Sequence, residues 1–272
     1  MDPLLRPGHS APCLPSALGA PHADVFDRLD ARSSAFGVHQ GAADKASKST
    51  AGGPVQAAFS PYQDNGGSVV AVAGKDFCVV ASDTRFGLGY SIPARKVSRN
   101  LILTDQVVLA TAGMQADTST LHKVLRTRLR MYQQNHGKPM SLPAVAQMLG
   151  NTLYYKRFFP YYTFNVVGGV DESGEGYVYG YDAIGSNEKV KVVCTGAAQS
   201  LIQPVLDNQV DGKQLQMGAA PPAPLSLQQT VDLVKDCFSS AGEREIYTGD
   251  FVEICKITQT GVEVELFELK LD

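Results

Sequence analysis

Asp83, Thr84 and Arg85 close an apolar run, Phe77 to Ser82, and set a carboxylate, a hydroxyl and a guanidinium side by side. A buried carboxylate persists where an arginine pairs with it and backbone donors satisfy it, so the cluster fits a structural ion pair as well as a reactive one. Which residue opens the preceding apolar run decides between them: Ser68 offers a hydroxyl nucleophile, whereas Gly67 offers none. Two further groups invite a chemical reading. Lys123, Arg126, Arg128 and Arg130 form a basic stretch, and Tyr154 to Tyr162 is dense in aromatics. Together they resemble a phosphate-and-base surface. A solvated or subunit-facing helix side, with the aromatics in core or interface packing, is the preferred reading, because no glycine-rich or basic groove surrounds them.

The elements that position Asp83 are two apolar strands, Ser68 to Ala73 and Phe77 to Ser82, joined by Gly74-Lys75-Asp76. Runs this apolar are expected to be covered on both faces and central. Phe86 to Pro93 reads as a loop, followed by strands at Leu101–Leu103 and Val107–Thr111. Asp117 or Thr118 is the expected cap of a helix running to about Asn135 and closed by Gly137, with Leu121, Val124, Leu125, Leu129 and Tyr132 as its apolar stripe. Ser141 caps a second helix reaching about Phe158. Next come a hairpin (Thr163 to Val170, Tyr177 to Tyr181), a strand from Val190 to Cys194 and a helix from Gln199 to about Asp207. Asn208 to Pro224 reads as a surface loop, Ser226 to Glu243 as a helix, and Phe251–Thr258 with Val262–Leu269 as a final hairpin. Segregated runs of strands and helices predict an α+β sandwich in one domain, residues 59–272. Residues 1–58, rich in Ala, Ser, Gly and Pro, are expected to form a disordered tail or propeptide.

Composition narrows the function. A formal net charge of -3 over 272 residues gives no general attraction to nucleic acid or anionic membrane. Five cysteines, an odd number with no C-x-x-C, argue against a disulfide framework and a zinc site and for an intracellular protein. His9, His22 and His39 are too scattered for a metal cluster, so neither metal nor cofactor is expected. No apolar run reaches the ~18 residues that span a bilayer.

The motifs F-S-P-Y…N-G-G-S, V-V-A-S-D-T-R, R-F-F-P-Y-Y and R-E-I-Y-T-G-D, in this order, resemble those of proteasome β subunits, most closely the non-catalytic subunit at the sixth β position. The similarity runs from Phe59 almost to the C-terminus. It implies the N-terminal-nucleophile hydrolase fold, a four-layer αββα sandwich. It also implies a cytoplasmic and nuclear hetero-oligomer with partners in the same and the opposite β ring, in the α ring and among assembly chaperones, without nucleic acid or membrane. Trimming of the tail just before the Phe59 region is a further implication.

Active relatives expose an N-terminal threonine whose own α-amine serves as base. They carry an aspartate sixteen residues later, a lysine thirty-two later and a second aspartate further on. With Asp83 as the first aspartate, the nucleophile position falls on Gly67 and the lysine position on Arg99, which cannot release a proton. Glu245 stands at the later aspartate, Tyr247-Thr248-Gly249 keeps the supporting turn, and Thr195-Gly196-Ala197 keeps part of a serine-glycine loop. Gly67, Asp83, Arg99, Glu245 and Thr248 are thus expected to be vestigial. Ser68 is the alternative nucleophile of a serine- or threonine-type peptidase. One residue out of register, it is expected to point away from Asp83 and Arg99 unless a bulge compensates.

Overall fold

The computed structural model describes residues 60–215 and 222–272. The expected tail, its three histidines and Phe59 lie outside the described residues.

Strands β1 (Ser68–Ala73) and β2 (Cys78–Asp83) occupy the middle of a five-stranded antiparallel sheet. Its order is β10-β1-β2-β11-β12, with β10 at Val192–Gly196, β11 at Phe251–Thr258 and β12 at Gly261–Glu268. The alternation along the central pair explains why both runs are wholly apolar. Val70, Val72, Val79 and Ala81 pack against α3 (Gln199–Gln209) and α4 (Leu227–Gly242). Val69, Ala71, Cys78 and Val80 face the second sheet, meeting Val108, Ala110 and Val166. Each fully buried valine contributes roughly 1.5–3 kcal/mol, so a polar residue on either face would be costly.

The second sheet runs β5-β6-β7-β8-β9: Asn100–Thr104, Val107–Gly113, Thr163–Val170, Gly176–Tyr181 and Asn187–Val190. Its outer face carries Leu101, Leu109 and Val167, which pack on Leu121, Leu125 and Leu129 of α1 (Gln115–His136) and on Val145, Leu149 and Leu153 of α2 (Leu142–Tyr155). Helices, sheet, sheet, helices: the described residues form the four-layer αββα sandwich.

Several boundaries differ from the sequence reading. Phe86 to Pro93 is not a loop but most of a small hairpin, β3 (Phe86–Leu88) and β4 (Ser91–Ala94), whose glycines and proline hide its strand character. The expected strand from Val190 to Cys194 is two strands in different sheets, broken at Lys191. Helix α1 starts at Gln115, capped by neither Asp117 nor Thr118. Asn65 Oδ1 accepts the Gln115 N–H from fifty residues upstream, while Asp117 accepts the Tyr162 N–H. Helix α2 stops at Tyr155 because Lys156, Arg157 and Phe159 tighten into i→i+3 turns. Ser226 does cap α4, through a reciprocal capping box with Gln229.

Among the described residues, no helix is long and apolar enough to cross a membrane, and no group of three or more His, Cys, Asp or Glu side chains is placed to hold a metal.

Candidate functional site

The chain enters β1 through Asn65-Gly66-Gly67, with Gly67 at φ +92°, a conformation that disfavours any side chain. The open face of Gly67 is already occupied. A Cβ built there would sit 2.2 Å from Cζ and 2.4 Å from Nε of Arg99. Arg99 precedes β5 and is wholly buried. Its Nε lies 3.4 Å from Asp83 Oδ1, and its Nη2 donates to the carbonyls of Arg85 and Asn65. The guanidinium therefore fills the space that a side chain at position 67 would need.

Asp83, fully buried at the end of β2, holds the entrance of β1 as well: its Oδ1 accepts the Ser68 N–H at 2.8 Å. Burial pushes the Asp83 carboxyl up to about 6, with the Arg99 charge opposing the rise.

Ser68 is also fully buried. Its hydroxyl accepts the Ala198 N–H at 2.9 Å and lies 2.8 Å from Thr248 Oγ1. The expectation that it would face away from Asp83 needs correction. The β1–β2 register pairs Val69 with Ser82 and Val70 with Ala81, so one row further places positions 68 and 83 on one face. No register shift interrupts that ladder. What separates the Ser68 hydroxyl from Asp83 is its engagement by Thr248 and Ala198; only the Ser68 backbone reaches the carboxylate. In the intact chain that nitrogen is a peptide nitrogen and takes no proton.

The neighbouring loop closes the site. Gly196, φ +97°, lets the backbone pass so tightly that a Cβ would lie 2.1 Å from the Gly67 carbonyl, which accepts the Ala197 N–H. Beside it opens a cleft of about 170 Å³, lined by Gly66, Gly67, Thr195, Gly196, Ala197 and Gln199 among others.

Of the residues singled out in the sequence, the fold brings Gly67, Ser68, Asp83, Arg99 and Thr248 together. Glu245 reaches the group through its backbone, its carbonyl accepting the Thr248 N–H, while its carboxylate accepts the Tyr247 N–H within its own turn. Asp250 escaped the sequence reading. Buried, and at φ +66°, it accepts both Nε and Nη2 of Arg85 at 3.0 and 3.2 Å and a further bond from Arg95. Arg85 also bonds the Ile246 carbonyl. The R-E-I-Y-T-G-D motif contained Asp250, but position alone could not pair it with Arg85, 165 residues away.

Chemically, the arrangement is a buried ion pair beside an engaged hydroxyl, with Asp83 Oδ2 and Arg99 Nη1 buried and without a hydrogen-bond partner among the described residues. A carboxylate and a guanidinium neutralise each other, and the nearest hydroxyl holds two structural hydrogen bonds.

Comparison with known proteins places this geometry. A family model described as Proteasome subunit matches residues 63–257. The chain is 55% identical over 215 residues to the proteasome subunit beta type-1 of Dictyostelium discoideum, covering 79% of this chain and 91% of that one. The Arabidopsis thaliana subunit beta type-1 is 50% identical, with 79% and 97% covered. The Saccharomyces cerevisiae subunit beta type-6 is 41% identical, with 80% and 94% covered. With its αββα layers and most of its length matched, the chain belongs to the family of proteasome β subunits.

Proposed function

We propose that this chain is a non-catalytic β subunit of the 20S proteasome core particle. It completes a β ring around the proteolytic chamber and so serves ubiquitin- and ATP-dependent protein degradation in cytoplasm and nucleus. The observation that carries this role is the Arg99 guanidinium lying against Gly67, where the active relatives place a reactive side chain. Ser68, the remaining nucleophile, is buried and engaged by Thr248 and Ala198. Its partners are two ring neighbours, the α ring, the opposite β ring and, before completion, assembly chaperones. Such contacts are heterologous, so the chain works as a hetero-oligomer. The first residues are removed during assembly, leaving a start near Phe59.

Mass spectrometry of purified core particles tests this directly. The expected result is one copy of this chain per β ring with an N-terminus near Phe59. Absence from the particle removes the structural role, and a chain beginning at Ser68 favours a serine-type peptidase instead.

A further inference from the structure

Asn65-Gly66 is the only Asn-Gly pair in the 272 residues, and such a pair is chemically labile. The peptide nitrogen of the glycine can attack the asparagine side-chain carbon, because no Cβ shields the approach. The N–Cγ bond forms, the Cγ–Nδ2 bond breaks, and ammonia leaves with the proton given up by the glycine nitrogen. Water then opens one of the two carbonyls of the resulting five-membered imide. One opening leaves aspartate. The other leaves isoaspartate, whose main chain runs through the former side chain. Neither an oxidant nor an enzyme is required.

The fold engages every group that this ring closure needs. Asn65 is buried, its Nδ2 donates to the Gly87 carbonyl at 3.1 Å, and its Oδ1 accepts the Gln115 N–H at 2.9 Å. The first partner can only accept and the second only donate, so the side-chain amide has a single orientation. The nucleophile is held as well. The Gly66 N–H donates to the Asp64 carboxylate at 2.8 Å, and that charge opposes the negative nitrogen needed for attack. Turning the Asn65 side chain towards Gly66 would break both of its hydrogen bonds inside a buried site.

The same contacts make either product a poor fit. Aspartate lacks the Nδ2 donor and sets a carboxylate oxygen against the Gly87 carbonyl. Isoaspartate lengthens the main chain by one carbon just before Gly66 and Gly67. There a Cβ on Gly66 would already lie 2.5 Å from Tyr247 Cβ, and one on Gly67 2.2 Å from Arg99 Cζ.

We infer that Asn65-Gly66 is a site of spontaneous deamidation, closed in the folded chain and open in the unfolded one, and that its products mark a slowly folding chain with a defective entrance to β1. This chemistry belongs to the chain itself and holds with or without the ring-subunit role.

The test incubates the full-length chain, purified natively in whatever assembly it forms, beside the same chain in urea at neutral pH. Mass spectrometry of the peptide holding residue 65 follows asparagine, aspartate and isoaspartate. Conversion is expected in urea, and about a hundredfold more slowly in the native chain, as loss of both side-chain hydrogen bonds on opening implies. Asn65→Gln, which would need a six-membered ring, is expected to convert far more slowly in urea. Gln115→Pro removes the N–H that holds Asn65 Oδ1, at a first helical position that tolerates proline after an extended Met114. It is expected to raise the native rate about fivefold, whereas Gln115→Ala, which keeps the N–H, leaves it unchanged. Asn65→Asp is expected to lower the melting temperature by about 2–4 °C. Equal rates in native and denatured chain, or no conversion in urea, overturn the inference even where the proline variant does not fold. An unmoved rate in folded Gln115→Pro, or an unchanged melting temperature in Asn65→Asp, overturns it too.

Discussion

Gly67 and Arg99 are two halves of one structural element. The guanidinium lies where the Cβ of residue 67 would be, and residue 67 carries no Cβ. Either residue alone makes poor sense: a glycine at the head of a buried strand leaves a gap, and a buried arginine needs room. Together they close the space and bring a cation to Asp83.

Gly67→Ala is therefore expected to destabilise the subunit by about 2–4 kcal/mol, from overlap with Arg99 and from a side chain at positive φ. Gly67→Ala combined with Arg99→Lys is expected to be less damaging than the sum of the single changes, because lysine lacks the planar head that meets the new methyl. Denaturant midpoints of the four proteins give this coupling.

Arg99→Ala removes the charge beside a wholly buried Asp83 and is expected to cost about 3–5 kcal/mol. Asp250→Ala is expected to cost a similar amount, since two arginines lose their common carboxylate. Asp250→Asn is expected to be milder, because asparagine tolerates positive φ and keeps one acceptor. Thermal unfolding of the three variants orders them.

Stability is expected to respond to pH through two groups of opposite sign. Burial, reinforced by the Arg126 charge, lowers the His122 imidazole to about 4. Its contribution is complete above the ordinary histidine value, near 6.5, and is lost as pH falls through 4. Asp83, raised to about 6, does the reverse: its contribution is complete below about 3.8 and is lost as pH rises through 6. His122→Gln is expected to remove an acid-side loss on the order of 2 kcal/mol. Melting curves between pH 4 and 7 separate the two effects, and an unchanged acid limb in the variant contradicts the histidine assignment.

Ser68→Ala takes away the acceptor for the Ala198 N–H and the contact with Thr248, and leaves the Ser68 position filled by a methyl. The expected cost is about 1–2 kcal/mol. Peptidase activity of the assembled particle is expected to be unchanged per particle. A specific loss of one activity, at equal particle yield, contradicts this.

Much of this fold is legible in the chain because the core strands are apolar on both faces and the turns carry glycine, proline and aspartate. β1, β7 and β11 have the expected bounds. What failed to show has a physical reason. The crossing from β9 to β10 occurs at Val190-Lys191-Val192, with no turn residue to announce it. The α1 cap comes from Asn65, and no local motif encodes a partner fifty residues away. The family resemblance, with the spacing it implies, pointed to Gly67, Asp83 and Arg99, but it could not reveal that the arginine fills the glycine's missing side chain. It also misjudged the face of Ser68, which is set by the β1–β2 register rather than by distance from the aspartate.

The most direct measurement is the intact mass of this subunit after the core particle is treated with an N-terminal-nucleophile probe such as an epoxyketone. The expected result is adducts on other subunits and none on this chain. An adduct on Ser68, with turnover lost in Ser68→Ala, would contradict the account.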